Sequence, residues 1–241
     1  MIFWILTTPR SGSNFITGEI WRRIGGVPRS MEFLSDEAMA QGGDFTPDRD
    51  APVRSYLEHL AARVSHGGVL AVKVLWIQIE ACCRYPDFVP ALSGRKIIVL
   101  RRRDVVGQGV SQYLAFESGA WTSAKSPRSH EPVPYDHARI SAMVARMELH
   151  NAMLYRFVAA FGLDHLTMWY EDFLLDPEAE CDRALAYLGM PRTSAPLSTA
   201  ETFSRQSTAL NEEYRERFLA AERDRFTGDG TYRGPPLFRK A

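Results

Sequence analysis

Cysteines are few in this sequence and long apolar runs are absent, and each shortage excludes a class of protein. The three cysteines lack the paired spacing of a zinc site or a disulfide framework: Cys82, Cys83 and Cys181. No segment approaches the roughly 20 consecutive apolar residues of a membrane span, and the apolar start 1–6 is too short for a signal peptide. We therefore expect a reduced, cytoplasmic protein without a membrane span, a structural disulfide or a bound metal.

Net charge is also absent, because 29 Lys and Arg residues balance 29 Asp and Glu residues. A neutral chain gives no reason to expect a nucleic acid or an anionic membrane as a partner, so any anion site has to be local. Lysine is scarce and arginine supplies the other basic side chains; the lysines are Lys73, Lys96, Lys125 and Lys240. Arginine suits planar, bidentate contacts with anions.

Linkers, internal repeats and low-complexity segments are missing as well. The 241 residues are 45% apolar and 24% charged, which is enough apolar surface for a sizeable core. We therefore expect one domain over 1–241, with a C-terminal helix and tail over 208–241.

Apolar periodicity predicts strands that alternate with helices. The predicted strands are 2–7, 69–75, 96–100 and 166–170. The predicted helices are 15–24, a segment that starts at 50–52 and ends before Gly67, 105–118, 138–161, a segment between Asp176 and Gly189, and 208–226. Such alternation is typical of parallel βαβ units, so we expect an α/β fold with a mainly parallel central sheet flanked by helices.

The loop TPRSGSN at 8–14, after the first strand, has the composition of an anion site. Ligands of open α/β sheets bind at the carboxyl ends of strands, and the amides of a helix N-terminus favour phosphate or sulfate. Gly12 allows close approach of the backbone, Ser11 and Ser13 offer hydroxyl donors, and Arg10 adds charge. The loop lacks the Walker A lysine and a G-x-G-x-x-G fingerprint, which favours a nucleotide handled without magnesium triphosphate. An ordinary serine-capped turn is the alternative.

A second basic cluster, RRRD at 101–104, leaves the third strand, and Ser111 follows on the next helix. Arg102 and Ser111 would then point at the same sheet edge as the first loop. A solvated basic turn is the alternative for this cluster alone.

Together the two clusters resemble the phosphate-binding elements of sulfotransferases that use 3′-phosphoadenosine 5′-phosphosulfate (PAPS). More narrowly, the chain resembles the trehalose sulfotransferase group of bacterial carbohydrate sulfotransferases. The resemblance covers nearly the whole chain and rests on RSGS at 10–13, EF at 32–33, KVLW at 73–76, Gln78, Arg102, Asp104, Gln108, Ser111, Trp121, YED at 170–172, RQ at 205–206 and NEEY at 211–214. It implies a P-loop-like sulfotransferase fold.

The resemblance also implies a site for PAPS and none for a metal. Arg102 and Ser111 would hold the 3′-phosphate, which needs its own charge-assisted donors. The 5′-phosphosulfate would lie on the first loop, whose residues are Arg10, Ser11, Gly12, Ser13 and Asn14.

Glu32 matches the glutamate of the family's P-x-E-F-F segment, which acts there as the general base on the acceptor hydroxyl. A weakly acidic hydroxyl needs such a carboxylate within hydrogen-bond reach. If Glu32 is only a surface residue, Asp36 or Glu37 would replace it. Lys73 is expected to emerge at the ligand end of its apolar strand and to stabilise the transferring group; a salt bridge to an acidic loop is the alternative.

Aromatic residues and departures from the family pattern give weaker evidence about the site than the two basic clusters do. Trp76 and Trp121 would stack on a ring of a ligand or belong to the core, and the YED segment at 170–172 is expected to be structural. The departures cluster on the acceptor side, where loops are expected at 26–50 and 119–138. They include Asn14 where Thr is usual, Val27 for an acidic residue, Leu34 for the second Phe and Arg103 where Pro is common. The donor therefore carries over better than trehalose does.

We therefore expect a PAPS-dependent sulfotransferase that acts on a hydroxyl of a carbohydrate or small metabolite, in line and without a metal. Glu32, Arg10 and Lys73 are its expected catalytic residues. A phosphoryl transferase that uses ATP and a nucleotide-binding module without catalysis are the alternatives. The acceptor and the question of a homodimer stay open.

Overall fold

Four parallel strands form the central sheet of the structure, a computed structural model that describes residues 1–26, 31–34, 53–121, 133–191 and 208–227. The strands are β1 (Ile2–Thr7), β2 (Leu70–Leu75), β3 (Lys96–Arg101) and β4 (Leu166–Trp169). Their order is β2-β1-β3-β4, and Ile5 of β1 lies opposite Lys73 on one side and Ile98 on the other. The predicted α/β fold with a mainly parallel sheet is confirmed.

Helices cover both faces of this sheet. In the described part of the chain they are α1 (Ser13–Arg23), α2 (Val53–Val64), α3 (Trp76–Cys82), α4 (Phe88–Leu92), α5 (Val105–Ser118), α6 (His137–Ala160), α7 (Tyr170–Leu175), α8 (Pro177–Leu188) and α9 (Ala209–Thr227). No described helix has both the length and the apolar composition needed to cross a bilayer.

Alternation along the strands divides the core into two layers. On one face Trp4 and Leu6 pack with α2, α3, α4 and the C-terminal half of α6. On the other face Phe3 and Ile5 pack with α1 and α8. Because successive strand side chains point to opposite faces, strands buried on both sides consist of nearly continuous apolar residues, as β1 does. A smaller cluster joins α5, α6 and α9.

Local capping signals set the ends of several helices where the sequence predicts them. Asp104 caps α5 by accepting a hydrogen bond from the Gly107 amide at 2.9 Å, and Asp176 caps α8 in the same way. Three short helices differ from prediction: α3 and α4 were not predicted, and Tyr170 begins α7 instead of ending β4. Acidic residues in the first turn of α7 favour that helix start.

Candidate active site

The loop between β1 and α1 lies at the carboxyl edge of the sheet and has an unusual backbone. Gly12 has a φ of 80° and directly precedes α1. Two constraints exclude any other residue at this position: a Cβ there would strain the backbone, and it would lie 2.2 Å from Cδ2 of Tyr170. Arg10 also has a left-handed φ, 59°, although it is not glycine. Such strain at a strand end often accompanies function.

Both serines of this loop are buried. Ser11 is fully buried, and its Oγ lies 2.6 Å from Oγ1 of Thr7. Thr7 donates its own proton to the Leu100 carbonyl at 3.0 Å, so the Ser11 hydroxyl is the donor in the Thr7 contact. Ser13, also buried, is the first residue of α1. Because α1 begins within this loop, the free amides of its first turn lie at this edge of the sheet.

A cluster of cations and hydroxyls lies on one side of the loop. Arg10 donates from Nε to Oγ of Ser111 at 2.9 Å and from Nη1 to the Trp121 carbonyl at 2.8 Å. Arg102 reaches the Arg10 carbonyl at 3.4 Å. Burial, and then the neighbouring Arg102 charge, lower the pKa of Arg10 to about 10. An anion bound beside these two arginines would offset the repulsion between their charges.

Arg102 is the arginine of the 101–103 run that faces the loop. Arg101 and Arg103 both lie on the ring of Trp169, at 4.7 and 4.8 Å, because alternate residues of an extended chain share a face. The Arg102 side chain is 17% exposed, and its Nε is buried with no hydrogen-bond partner among the described residues. Its guanidinium lies 5.1 Å from the Tyr170 ring. Arg102 therefore has unused capacity to bind an anion.

Asp104 connects this cluster to the C-terminal helix. Its carboxylate accepts hydrogen bonds from Nε of Arg215 at 3.1 and 3.2 Å, and Arg102 lies 3.4 Å away. Burial acts to raise the pKa of Asp104, but the Gly107 amide, Arg102 and Arg215 together lower it below the ordinary value. A single carboxylate thus partly balances two arginines and ties α9 to the site.

An ion pair lies on the other side of the loop. Nζ of Lys73 is 2.8 Å from Oε1 of Glu32 and also donates to Oδ1 of Asn14. Nε2 of Gln78 reaches Oε2 of Glu32 at 3.4 Å. Lys73 is only 1% exposed, and burial lowers its pKa although the Glu32 charge opposes that shift. The pair is a carboxylate and an ammonium held next to the anion loop.

Backbone contacts bring Glu32 to this position. The Lys73 amide donates to the Met31 carbonyl at 2.9 Å, so the segment 31–34 lies along the outer edge of β2. The Tyr56 hydroxyl of α2 donates to the Phe33 carbonyl at 2.7 Å. These two hydrogen bonds fix the segment that carries Glu32 between β2 and α2.

The candidate residues from the sequence lie in the 8–14 loop and in the two groups on either side of it, with some differences. Lys73 is buried and paired, as in the salt-bridge alternative, and its partner is Glu32 itself. Trp76 is a core residue packed edge-on against Phe157, whereas Trp121 is half-buried beside Phe116 at a ring distance of 4.8 Å. The alternative bases at 36 and 37, the RQ segment at 205–206, Val27 and most of the expected acceptor-side loops lie outside the described residues.

Sequence reasoning missed three residues of the site. Tyr170 was expected to be structural, yet its ring covers Gly12 and lies beside Arg102. Gln78 belongs to the family resemblance but had no assigned role, and Arg215 was not singled out. Nothing in the local sequence points to the contact of Gln78 with Glu32 or to that of Arg215 with Asp104. Within the part of the chain that the structure describes, no group of three or more His, Cys, Asp or Glu residues is arranged to hold a metal.

Comparison with known proteins identifies the class of enzyme. Residues 85–221 match the Stf0 sulphotransferase family, and this match spans more than half of the chain. The protein belongs to the Stf0 sulphotransferase family and is an enzyme of sulfuryl transfer to a small-molecule acceptor. The matched region contains Arg102, Ser111 and Tyr170, and the 8–14 loop with Glu32 and Lys73 precedes it.

Two solved structures are similar to this chain. A sulfotransferase from Alicyclobacillus acidocaldarius matches with a TM-score of 0.50 and 17% identity, over 90% of this chain and 91% of that chain. The sulfotransferase domain of the olefin synthase of Synechococcus PCC 7002 matches with a TM-score of 0.49 and 15% identity, over 91% and 87%. The search of curated proteins gave no significant match. The Alicyclobacillus structure supports the P-loop-like sulfotransferase fold.

Proposed function

We propose that this enzyme transfers the sulfuryl group of PAPS to a hydroxyl of a carbohydrate or small metabolite, in line and without a metal. The observation that carries the proposal is the division of the site by the 8–14 loop. Arg10, Arg102 and Ser111 lie on one side, and the Glu32–Lys73 pair lies on the other. A donor with two separate anionic groups and an acceptor that must lose a proton need these two kinds of site.

The cation cluster is the site we assign to the 3′-phosphate of the donor. Arg102 has a buried Nε without a partner among the described residues, and Arg10 has a lowered pKa beside it. A phosphate would satisfy the donor of Arg102 and offset the repulsion between the two charges. Arg10 also belongs, through its backbone, to the loop where the 5′-phosphosulfate binds. It therefore links the two anionic groups of one nucleotide.

The ion pair is the site we assign to the acceptor hydroxyl and the bridging oxygen. Glu32 takes the hydroxyl proton while the acceptor oxygen forms a bond to sulfur and the bond from sulfur to the 5′-phosphate oxygen breaks. The products are a sulfate ester and 3′,5′-adenosine bisphosphate. Lys73 and Asn14, which contact each other, stabilise charge on the departing oxygen. Lys73 and Gln78 also orient the Glu32 carboxylate.

Calorimetry with two nucleotides tests the donor assignment. The wild-type protein should bind 3′,5′-adenosine bisphosphate about ten- to a hundredfold more tightly than AMP, the effect of roughly 1.5–3 kcal/mol for a charge-assisted hydrogen bond. Arg102→Ala should remove this preference. Arg101→Ala is the matched control, because Arg101 lies on Trp169 instead. Equal affinity of the wild-type protein for both nucleotides would overturn the assignment.

Labelled donor tests the reaction itself. Incubation with sulfur-labelled PAPS and a metabolite extract should place the label in a new hydroxyl ester. Transfer of labelled phosphate from ATP instead would favour the phosphoryl transferase. Tight nucleotide binding without any transfer would favour a module without catalysis.

A further inference from the structure

Three side chains from separate elements, two of them fully buried and one half-buried, form a closed ring of hydrogen bonds beside the loop segment that leads into Arg10. Thr8 belongs to the loop, Gln108 to α5 and Asn151 to α6. The Thr8 hydroxyl donates to Oδ1 of Asn151 at 3.0 Å, and Nδ2 of Asn151 faces Oε1 of Gln108 at 3.4 Å. Nε2 of Gln108 closes the ring at Oγ1 of Thr8, 2.9 Å away.

The same Gln108 amide also holds the backbone of the loop. Its Nε2 donates to the Pro9 carbonyl at 2.5 Å, so both of its hydrogens are used, one on Thr8 and one on Pro9. A carbonyl only accepts hydrogen bonds, which fixes the amide orientation of Gln108 and, around the ring, that of Asn151. A carboxylate at position 108 would face two acceptors. The ring therefore has one consistent arrangement of donors.

This arrangement acts on the strained part of the loop. The Pro9 carbonyl belongs to the peptide unit that leads into Arg10, whose φ is 59°. Ser111, three residues after Gln108 on α5, accepts the hydrogen bond from the Arg10 side chain. Residues three apart lie on the same helix face. One face of α5 therefore contacts both the backbone carbonyl of Pro9, through Gln108, and the side chain of Arg10, through Ser111. Thr8 and Gln108 are fully buried, which shields these contacts from water.

We propose that Gln108 and Asn151 are positioning residues of this sulfotransferase. Acting through Thr8 and Pro9, they keep Arg10 in its left-handed conformation and aim the loop amides at the anion. The inference rests on the proposed function in one respect, that the loop binds the donor. It assigns α6 a part in donor binding through the contacts of Asn151 with Thr8 and Gln108.

Two replacements of Thr8 test the ring. Thr8→Val keeps the shape of the side chain and removes the hydroxyl, whereas Thr8→Ser retains the hydroxyl and removes the methyl group. Thr8→Val should weaken binding of 3′,5′-adenosine bisphosphate and lower kcat/KM for PAPS by about ten- to a hundredfold, because small displacements of a positioned group are costly. Thr8→Ser should stay within about threefold of wild type. KM for the acceptor should be unchanged in both variants.

Replacements on the helices provide the second arm and the control. Asn151→Asp removes the donor to Gln108 and should reproduce the loss, as should Gln108→Glu. Gln112→Glu is the matched control, since Gln112 is buried one turn further along α5 and outside the ring. Thermal melts separate the roles: a purely structural ring would lower Tm in Thr8→Val and leave the nucleotide affinity of the folded protein unchanged.

The outcomes distinguish this inference from the donor assignment. If the wild-type protein prefers the bisphosphate over AMP and Thr8→Val keeps both affinity and turnover, only the ring is overturned. If the wild-type protein shows no such preference, the donor assignment fails. The same variants are then compared by their affinity for inorganic sulfate, where an affinity equal to that of wild type overturns the inference.

Discussion

Replacement of Glu32 by Gln is the sharpest test of the acceptor side of the site. The amide keeps the size of the side chain but cannot take a proton from a hydroxyl. If Glu32 is the general base, Glu32→Gln should lower turnover by about a hundred- to ten-thousandfold. Affinity for 3′,5′-adenosine bisphosphate should stay within about twofold, because the cation cluster lies on the other side of the loop.

The structure also predicts a stability cost that the sequence did not suggest. A surface Glu changed to Gln normally alters stability by less than about 0.5 kcal/mol. Glu32, however, lies 2.8 Å from the ammonium of Lys73, which is buried, while its own side chain is 26% exposed. Removal of one partner of a fully buried ion pair costs about 3–5 kcal/mol. We expect a smaller loss here, about 1–3 kcal/mol, because Glu32 is partly exposed and Lys73 keeps Asn14.

A second ion pair of the same kind supplies the control. Arg23 is buried at the end of α1 and pairs with the exposed carboxylate of Glu178. Because α1 starts at the carboxyl edge of the sheet and runs back across it, Arg23 lies at the opposite edge. Glu178→Gln should therefore lower stability and leave turnover intact.

Urea unfolding, nucleotide calorimetry and turnover are measured on the same preparations. A turnover of Glu32→Gln close to wild type would remove Glu32 from the mechanism and direct attention to positions 36 and 37. A parallel loss of nucleotide affinity would assign Glu32 a role in donor binding. Added formate should restore part of the turnover of Glu32→Ala, because it supplies a carboxylate.

Three further predictions concern metal, backbone and pH. Turnover should survive EDTA, because arginines and loop amides neutralise the sulfuryl group; a loss that Mg²⁺ restores would favour the phosphoryl transferase. Gly12→Ala should cost about 1–2 kcal/mol in backbone strain, more for the contact with Tyr170, and should weaken bisphosphate binding. Gly67→Ala, with a φ of 54° and nothing within 4 Å, is its control, and equal losses of affinity in both variants would contradict the prediction. Asp104 has a pKa below its ordinary value of 3.8, so its contribution to stability is present above that pH and is lost as the pH falls through the folded-state pKa. The difference in unfolding free energy between wild type and Asp104→Asn should therefore shrink below pH 3.8 in urea titrations, and a constant difference would refute the assignment.

Features with a local cause could be predicted closely. The helix 105–118 was predicted with the bounds that the structure has, because Asp104 satisfies amides at one end and Gly119 ends the helix at the other. The family could also be predicted, since short motifs kept their order along the chain and the family match agrees. Short helices without such signals, as at 76–82, could not.

Contacts between distant residues were beyond local reasoning. The sequence placed Glu32 and Lys73 in separate roles, and the folded chain joins them through the edge of β2. It assigned Arg10 to the 5′-phosphosulfate and Ser111 to the 3′-phosphate, yet the two side chains hydrogen-bond to each other. The same holds for the ring of Thr8, Gln108 and Asn151.

The division between what the sequence predicts and what only the tertiary structure decides has a physical reason. Periodicity, caps and loop composition act over a few residues, so the amino-acid sequence by itself determined the strands, the main helices and the anion loop. The class of chemistry was implied by the family resemblance that the order of the motifs carries. The strand order decides which loop ends meet, and it depends on how all layers pack at once. Only the tertiary structure could therefore decide that Asp104 binds Arg215 and that Lys73 is buried against Glu32.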